Sequence, residues 1–173
     1  MIHLNNPMHM NTTTKQQTTP SDMVALEQNM KIEAAGLNKI LADEFVLHAM
    51  LLQYHWNVTG INFIELHRFY AEQYQQVERM MKSLAERVRA LGHLAEGRLS
   101  ECLKHTHLNE EAFPVQHLQQ LNNLIKSHET VIQHLQRMKR SLDRTYRMYG
   151  TGDFLEDLVA EHESMILLIR CYL

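Results

Sequence analysis

The stretch YHWNVTGINFIELHRFYAEQYQQVERMMKSLAER, residues 54–87, decides the fold. Its opening residues finish one long helical pattern, Thr59 and Gly60 break that pattern, and a second begins near Asn62. His55 stands at the end of the first pattern, His67 early in the second, and Glu86 about five turns further along. Two imidazoles and a carboxylate are donors that zinc or ferrous iron accepts. At about 100° per residue, His67, Ala71, Glu78, Lys82 and Glu86 lie on or near one slowly drifting face. Periodicity alone does not make a site of them, because a histidine at a stripe position serves equally well as a core residue.

Upstream of this stretch, Leu37, Leu41, Glu44, His48, Leu51 and His55 recur at heptad-like spacing, with Ile40, Phe45 and Leu52 beside them. That pattern predicts a helix over about 31–58, interrupted only by Gly36, with a short helical turn before it around 22–29. Asn62 followed by Glu65 has the form of a capping box, and the second helix is expected to reach about Leu91, with Gly92 as its stop. The pattern loosens from His93 to Phe113, where Leu99 to Lys104 can form a short helix across the bundle. Pro114 suits the first turn of a third helix, whose face is Leu118, Leu121, Ile125, His128, Ile132, Leu135, Leu142 and Tyr146 and which Gly150 ends. Thr151 as a cap, with Asp153 in the first turn, opens a fourth helix striped by Leu155, Leu158, His162, Ile166 and Ile169. The expectation is all-α, four long helices, with a connection of roughly 20 residues that lets helices two and three run the same way.

The 173 residues, 45% of them hydrophobic, suffice for one substantial core and are too few for two ordinary domains. Residues 1–21, rich in Asn, Thr and Gln and without an apolar period, are expected to form a flexible tail ahead of a single domain at 22–173. A net charge of −3 gives no general attraction to nucleic acid or anionic membrane. Lys15 is the sole Lys or Arg before Asp22, so the tail lacks the cations with which a DNA-binding arm neutralises phosphates. No stretch approaches the roughly 20 apolar residues of a membrane span, and the N-terminus lacks the organisation of a signal peptide. Cys102 and Cys171 stand far apart and form no CxxC, which suits a reducing compartment. A cytoplasmic protein away from membranes is expected.

The segment LNKILADEFVLHAMLLQYHWNVTGINFIELHRFYAEQY, the continuation SLAERVRALG and the closing TGDFLEDLVAEHESMILLIRCYL together resemble the Dps family, the mini-ferritins or DNA-binding proteins from starved cells. The likeness runs from about Leu37 to Leu173 and weakens only between His93 and Pro114. The HW pair, a second LH twelve residues on, and the later AER form a specific combination. The resemblance implies a ferritin-like four-helix bundle with a short helix in the middle connection, assembled as a dodecamer. It implies iron bound between twofold-related subunits, with two histidines from one chain and carboxylates from the other. It further implies oxidation of Fe(II), preferentially by peroxide, and storage of ferric mineral inside the shell, which protects DNA from oxidative damage.

Carried over by position, the resemblance makes His55 and His67 the ligand histidines and Glu86 the glutamate of the AER motif. Two positions depart from the family pattern: Ala71 and Lys82 stand where carboxylates are common. A protonated ammonium has no lone pair to donate and repels a cation, so the dinuclear ferroxidase centre is expected to be degenerate. Lys82, four residues from both Glu78 and Glu86, is expected to replace the metal by an internal ion pair. The alternatives are a mononuclear site on His55, His67 and Glu86, with Glu72 or Glu78 swinging in to hold iron or zinc, and a peroxide-dependent ferroxidase with a shifted ligand set. A non-specific DNA binder is a further alternative, with binding expected to be weak or absent.

The resemblance also matches Asp153 to a carboxylate lining threefold pores, and Asp157 can extend that lining; stabilisation of the first helical turn accounts for Asp153 as well. Trp56 matches an aromatic beside the iron site and equally suits a subunit contact, while the family's second tryptophan is Leu167 here. Arg137, Arg140, Arg144 and Arg147 form a basic stripe that helix-dipole and inter-subunit pairing explain without DNA. The methionines at 50, 80, 81, 138, 148 and 165 read as core filler.

Overall fold

The computed structural model describes residues 19–109, 112–145 and 150–173, so the tail up to Thr18, Tyr146, Arg147 and Met148 lie outside the described residues. Five helices follow one another: α1 (Pro20–Asn57), α2 (Phe63–Ala90), α3 (Leu99–His105), α4 (His117–Thr145) and α5 (Thr151–Arg170). The four long ones form the expected ferritin-like bundle, and the short α3 lies in the connection between α2 and α4. α1 packs against α2, α3 and α4, and α4 packs against α5. Leu37, Leu47 and Leu51 of α1, Leu84 and Val88 of α2, Leu124, Val131 and Leu135 of α4, and Leu155, Met165 and Ile169 of α5 are fully enclosed. At about 1.5–3 kcal/mol per buried large aliphatic side chain, this core is the main force holding the helices together.

Five details differ from the sequence reading. α1 is continuous from Pro20, so the separate turn at 22–29 does not exist and Ser21 belongs to the helix rather than to the tail. Its start is a capping box in which Thr19 Oγ1 accepts from the Asp22 amide at 3.2 Å and Asp22 Oδ2 accepts from the Thr19 amide at 2.9 Å, with Pro20 supplying a preset φ. Gly36 is no interruption: a Cβ there would stand 3.1 Å from Met138 Sδ, so the glycine lets α1 approach α4 closely. Asn62 does precede α2, yet its side chain makes no capping bond. α4 begins at His117, three residues after Pro114, where Gln120 Nε2 donates to the Pro114 carbonyl at 2.7 Å and holds that segment ahead of the helix. Gly150, at φ +101°, is the N-cap of α5, and Thr151 is its first residue.

Side chains tie the connections to the bundle. The Asn38 side chain brackets the segment after α2, donating to the Leu94 carbonyl at 3.0 Å and accepting from the Glu96 amide at 2.9 Å. The buried Tyr70 hydroxyl donates to Gln120 Oε1 at 3.0 Å, joining α2 to α4, and burial pushes the phenol's pKa up. Among the described residues no helix is long and apolar enough to cross a membrane. Thr19→Ala is expected to cost about 1 kcal/mol locally; amide exchange at residues 22–26 should quicken about fivefold while the midpoint of global unfolding hardly moves.

Candidate metal centre

α1 ends and α2 begins around a tight corner that turns at Gly60, φ +96°, and is held by His117 Nε2, which donates to the Thr59 carbonyl at 2.7 Å. This corner brings His55 and His67 side by side, ring centroids 3.8 Å apart and planes inclined by 36°. His55 Nδ1 donates to the His67 backbone carbonyl at 2.9 Å. That bond fixes the neutral tautomer and leaves His55 Nε2 with a free lone pair, the arrangement common in imidazole metal ligands. Both rings are half-buried. Phe63 stacks against His67 at 5.1 Å, Tyr74 meets His55 edge-on at 5.4 Å, and His48 meets Tyr74 at 5.8 Å. Burial lowers the pKa of His48, against the opposing field of Glu78.

The remaining sequence candidates lie elsewhere. Ala71 is half-buried, and Glu72 pairs outward with Arg68 at 3.0 Å. Glu78, Lys82 and Glu86 are exposed along α2. Among the described residues no ion pair joins Lys82 to either glutamate, so the internal pair expected from the i, i+4 spacing is not formed in one chain. Glu86 follows His67 by 19 positions, or about 28 Å of helix. Next to it, Arg87 is half-buried, and its Nε donates to Thr151 Oγ1 at 2.7 Å, tying the C-terminal end of α2 to the start of α5. Asp153 and Asp157 are exposed on the first turns of α5, and Arg137 and Arg140 are exposed on α4. Trp56 is 70% exposed, one residue from His55.

Glu44, His128 and His162, which the sequence shows only as stripe positions on three helices, meet in the centre of the bundle. The Glu44 carboxylate accepts from His162 Nε2 at 2.8 Å, and the Nδ1 atoms of His162 and His128 share a hydrogen bond of 2.9 Å. All three residues are fully enclosed. With both rings neutral the chain has one consistent direction: His128 donates to His162, His162 donates to Glu44, and His128 Nε2 is left without a partner. A second group was not anticipated at all. Asp43, fully buried, stands beside His107 and His134, whose Nδ1 atoms lie 3.2 and 3.0 Å from its Oδ2. Nothing in the spacing of α4 singled out His134, and His107 falls in the loosely patterned connection.

A ferritin-like domain profile matches residues 34–173, and the chain belongs to that family. It is 34% identical over 139 residues to a low-temperature-induced protein of Nostoc sp., covering 79% of this chain and 77% of the relative. To the DNA protection during starvation protein of Helicobacter pylori it is 29% identical over 140 residues, covering 79% and 95%. Among solved structures it is similar to a Dps protein of Vibrio cholerae, TM-score 0.80 at 23% identity over 84% of this chain and 91% of that one. DpsC of Streptomyces coelicolor gives 0.79 at 24%, over 84% and 85%. These relatives and neighbours put the chain among the Dps members of the family.

Burial and the neighbouring His162 push the His128 pKa well below its ordinary 6.5. Below about pH 6.5 the unfolded chain takes up a proton at this ring that the native chain refuses, so native stability falls as the pH is lowered, by about 1.4 kcal/mol per pH unit for one such group. His128→Gln should flatten the pH dependence of the denaturation midpoint between pH 6.5 and 5 by about that slope, whatever it does to stability at pH 8.

Proposed function

We propose that the chain is a Dps-type shell subunit of iron storage and stress protection whose ferroxidase centre is impaired. Iron handling in general follows from membership of the family. The observation that carries the finer reading is the pair formed by His55 and His67, stacked with His55 Nε2 left free, set against an exposed Lys82 far along α2. The pair is a half-site. Its missing oxygen donors would come from the α2 of a second copy, where Glu86 brings one carboxylate and Lys82 brings a positive charge instead of another. That donor set suits one weakly held Fe(II) or Zn(II) and not two bridged irons, which need carboxylates between them. In this reading iron is substrate and cargo. Mineral would form on acidic groups of the inner surface, with Asp153 and Asp157 lining a route inward.

The apolar corner supports assembly. Trp56, Ile61 and Ile64 are 70%, 101% and 75% exposed within nine residues of chain around the histidine pair, and Phe63 is also exposed. Apolar groups gathered in this way mark contact surfaces. A dodecamer in the cytoplasm, away from membranes, is the form the family resemblance implies. Binding to DNA would be weak, because the net charge is −3 and the exposed arginines at 137 and 140 are few against the several phosphate contacts that such binding uses.

Stopped-flow oxidation of Fe(II) by peroxide tests the site. The parent should be slow, Lys82→Asp should quicken it by about tenfold or more, equivalent to about 1.4 kcal/mol of barrier, and His55→Ala should abolish the gain. A fast parent that loses its rate in His55→Ala would instead identify a working ferroxidase with shifted ligands. The assembly reading is tested by size-exclusion chromatography with light scattering, in which Trp56→Glu should convert the shell into smaller species.

A further inference from the structure

We propose that Asp43, His107 and His134 form a second metal site, within a single chain, for a divalent transition metal such as zinc. Asp43 is 0% exposed, and the ion-pair partners found for it among the described residues are two imidazoles. A carboxylate withdrawn from water needs a compensating positive charge. A bound dication supplies it and uses neutral imidazoles as ligands.

The local geometry favours this reading. Asp43 Oδ1 is already committed, accepting from Thr106 Oγ1 at 2.9 Å and from the His107 amide at 2.6 Å. Those bonds orient the carboxylate so that Oδ2 faces both rings, as supporting hydrogen bonds do around metal ligands. Oδ2 lies 3.0 Å from His134 Nδ1 and 3.2 Å from His107 Nδ1, and all three donor atoms lie within 4.8 Å of one another. Zinc bonded at about 2.0–2.2 Å in tetrahedral geometry separates its ligand atoms by about 3.3–3.5 Å. The two oxygen–nitrogen separations therefore have to open by only a few tenths of an ångström. Two imidazoles and one carboxylate leave a fourth position vacant, a donor set that also suits Fe(II).

Access is present. His107 is 43% exposed at its side chain and lines a cavity of about 200 Å³ together with Asn123, Ser127 and Thr130. A metal here would join α1, α4 and the segment after α3. Since every ligand comes from one chain, the site stands whether or not His55 and His67 hold iron between subunits.

The test uses the assembled full-length protein, stripped with chelator and dialysed against Zn(II), in a His55→Ala/His67→Ala background that removes the other pair of imidazoles. That background should hold one more tightly bound zinc per chain than the same protein carrying His107→Ala and His134→Gln as well. Crystals of the native sequence soaked in zinc should show anomalous density between the three side chains. Equal zinc content in the two backgrounds, or no anomalous density at Asp43 in a zinc-saturated crystal, overturns the proposal. The crystal measurement decides alone should the added substitutions prevent folding.

Discussion

The structure depends on two adjacent carboxylates buried in the middle of α1. Asp43 and Glu44 are both fully enclosed, and polar groups taken out of water must find partners. Their directions differ by about 100° around the helix, so one cluster cannot serve both. Glu44 reaches His162 of α5 and, through it, His128 of α4, while Asp43 reaches Thr106 and His107 after α3 and His134 of α4. Together the two bonds fix how α1 is rotated and how far it has slid against its neighbours. A one-residue slip would cost both networks at once, whereas a purely apolar stripe tolerates small adjustments.

That rotation governs the outer histidine pair. Glu44, His48 and His55 belong to one stripe of α1, fully enclosed at Glu44 and half-buried at His48 and His55. Pinning Glu44 therefore aims His55 at the corner where His67 arrives. α2 contributes differently: His67 is near its start, while Lys82 and Glu86 are near its end, beside the Arg87 bond to Thr151. A rigid helix cannot bring its own two ends together. Any chemistry that uses both sets of groups must combine the start of α2 in one copy with the end of α2 in another, and the sign of Lys82 then bears on how well a cation is held there.

Much of this was legible from periodicity, and the failures have physical causes. Four long helices and a short one between the second and third follow from stripes that few glycines or prolines interrupt. The early start of α1 was hidden because its box uses Asp22 where the usual pattern has Glu or Gln, and because Gly36 reads as a break until Met138 is seen against it. Propensity puts Pro114 in the first turn of α4 and makes Thr151 a cap, but Gln120 holds the Pro114 carbonyl ahead of α4, and Thr151, one residue inside α5 behind the Gly150 cap, has its hydroxyl taken by Arg87. Glu44, His128 and His162 each carried a usable signal, a polar residue on a buried stripe of a different helix, which together imply a meeting in the core. Asp43 and His134 carried none, since their encounter depends on where the connection after α3 folds back.

Three imidazole pairs occur among the described residues, and surroundings rather than residue type set what each can do. His128 and His162 are closed off from water and have Glu44 as their proton acceptor, so their hydrogen bonds are nearly exhausted inside the bundle and little remains to attract an ion. His107 and His134 sit at the edge of the core with a carboxylate already turned toward both rings, and His107 lines a cavity. His55 and His67 are half-buried, with a hydrogen bond that frees one ring nitrogen, and among the described residues no carboxylate joins them in a three-ligand cluster. Moving outward from the bundle axis, the same pair of side chains changes from a structural link to a candidate site complete in one chain, and then to a half-site that a second copy must complete.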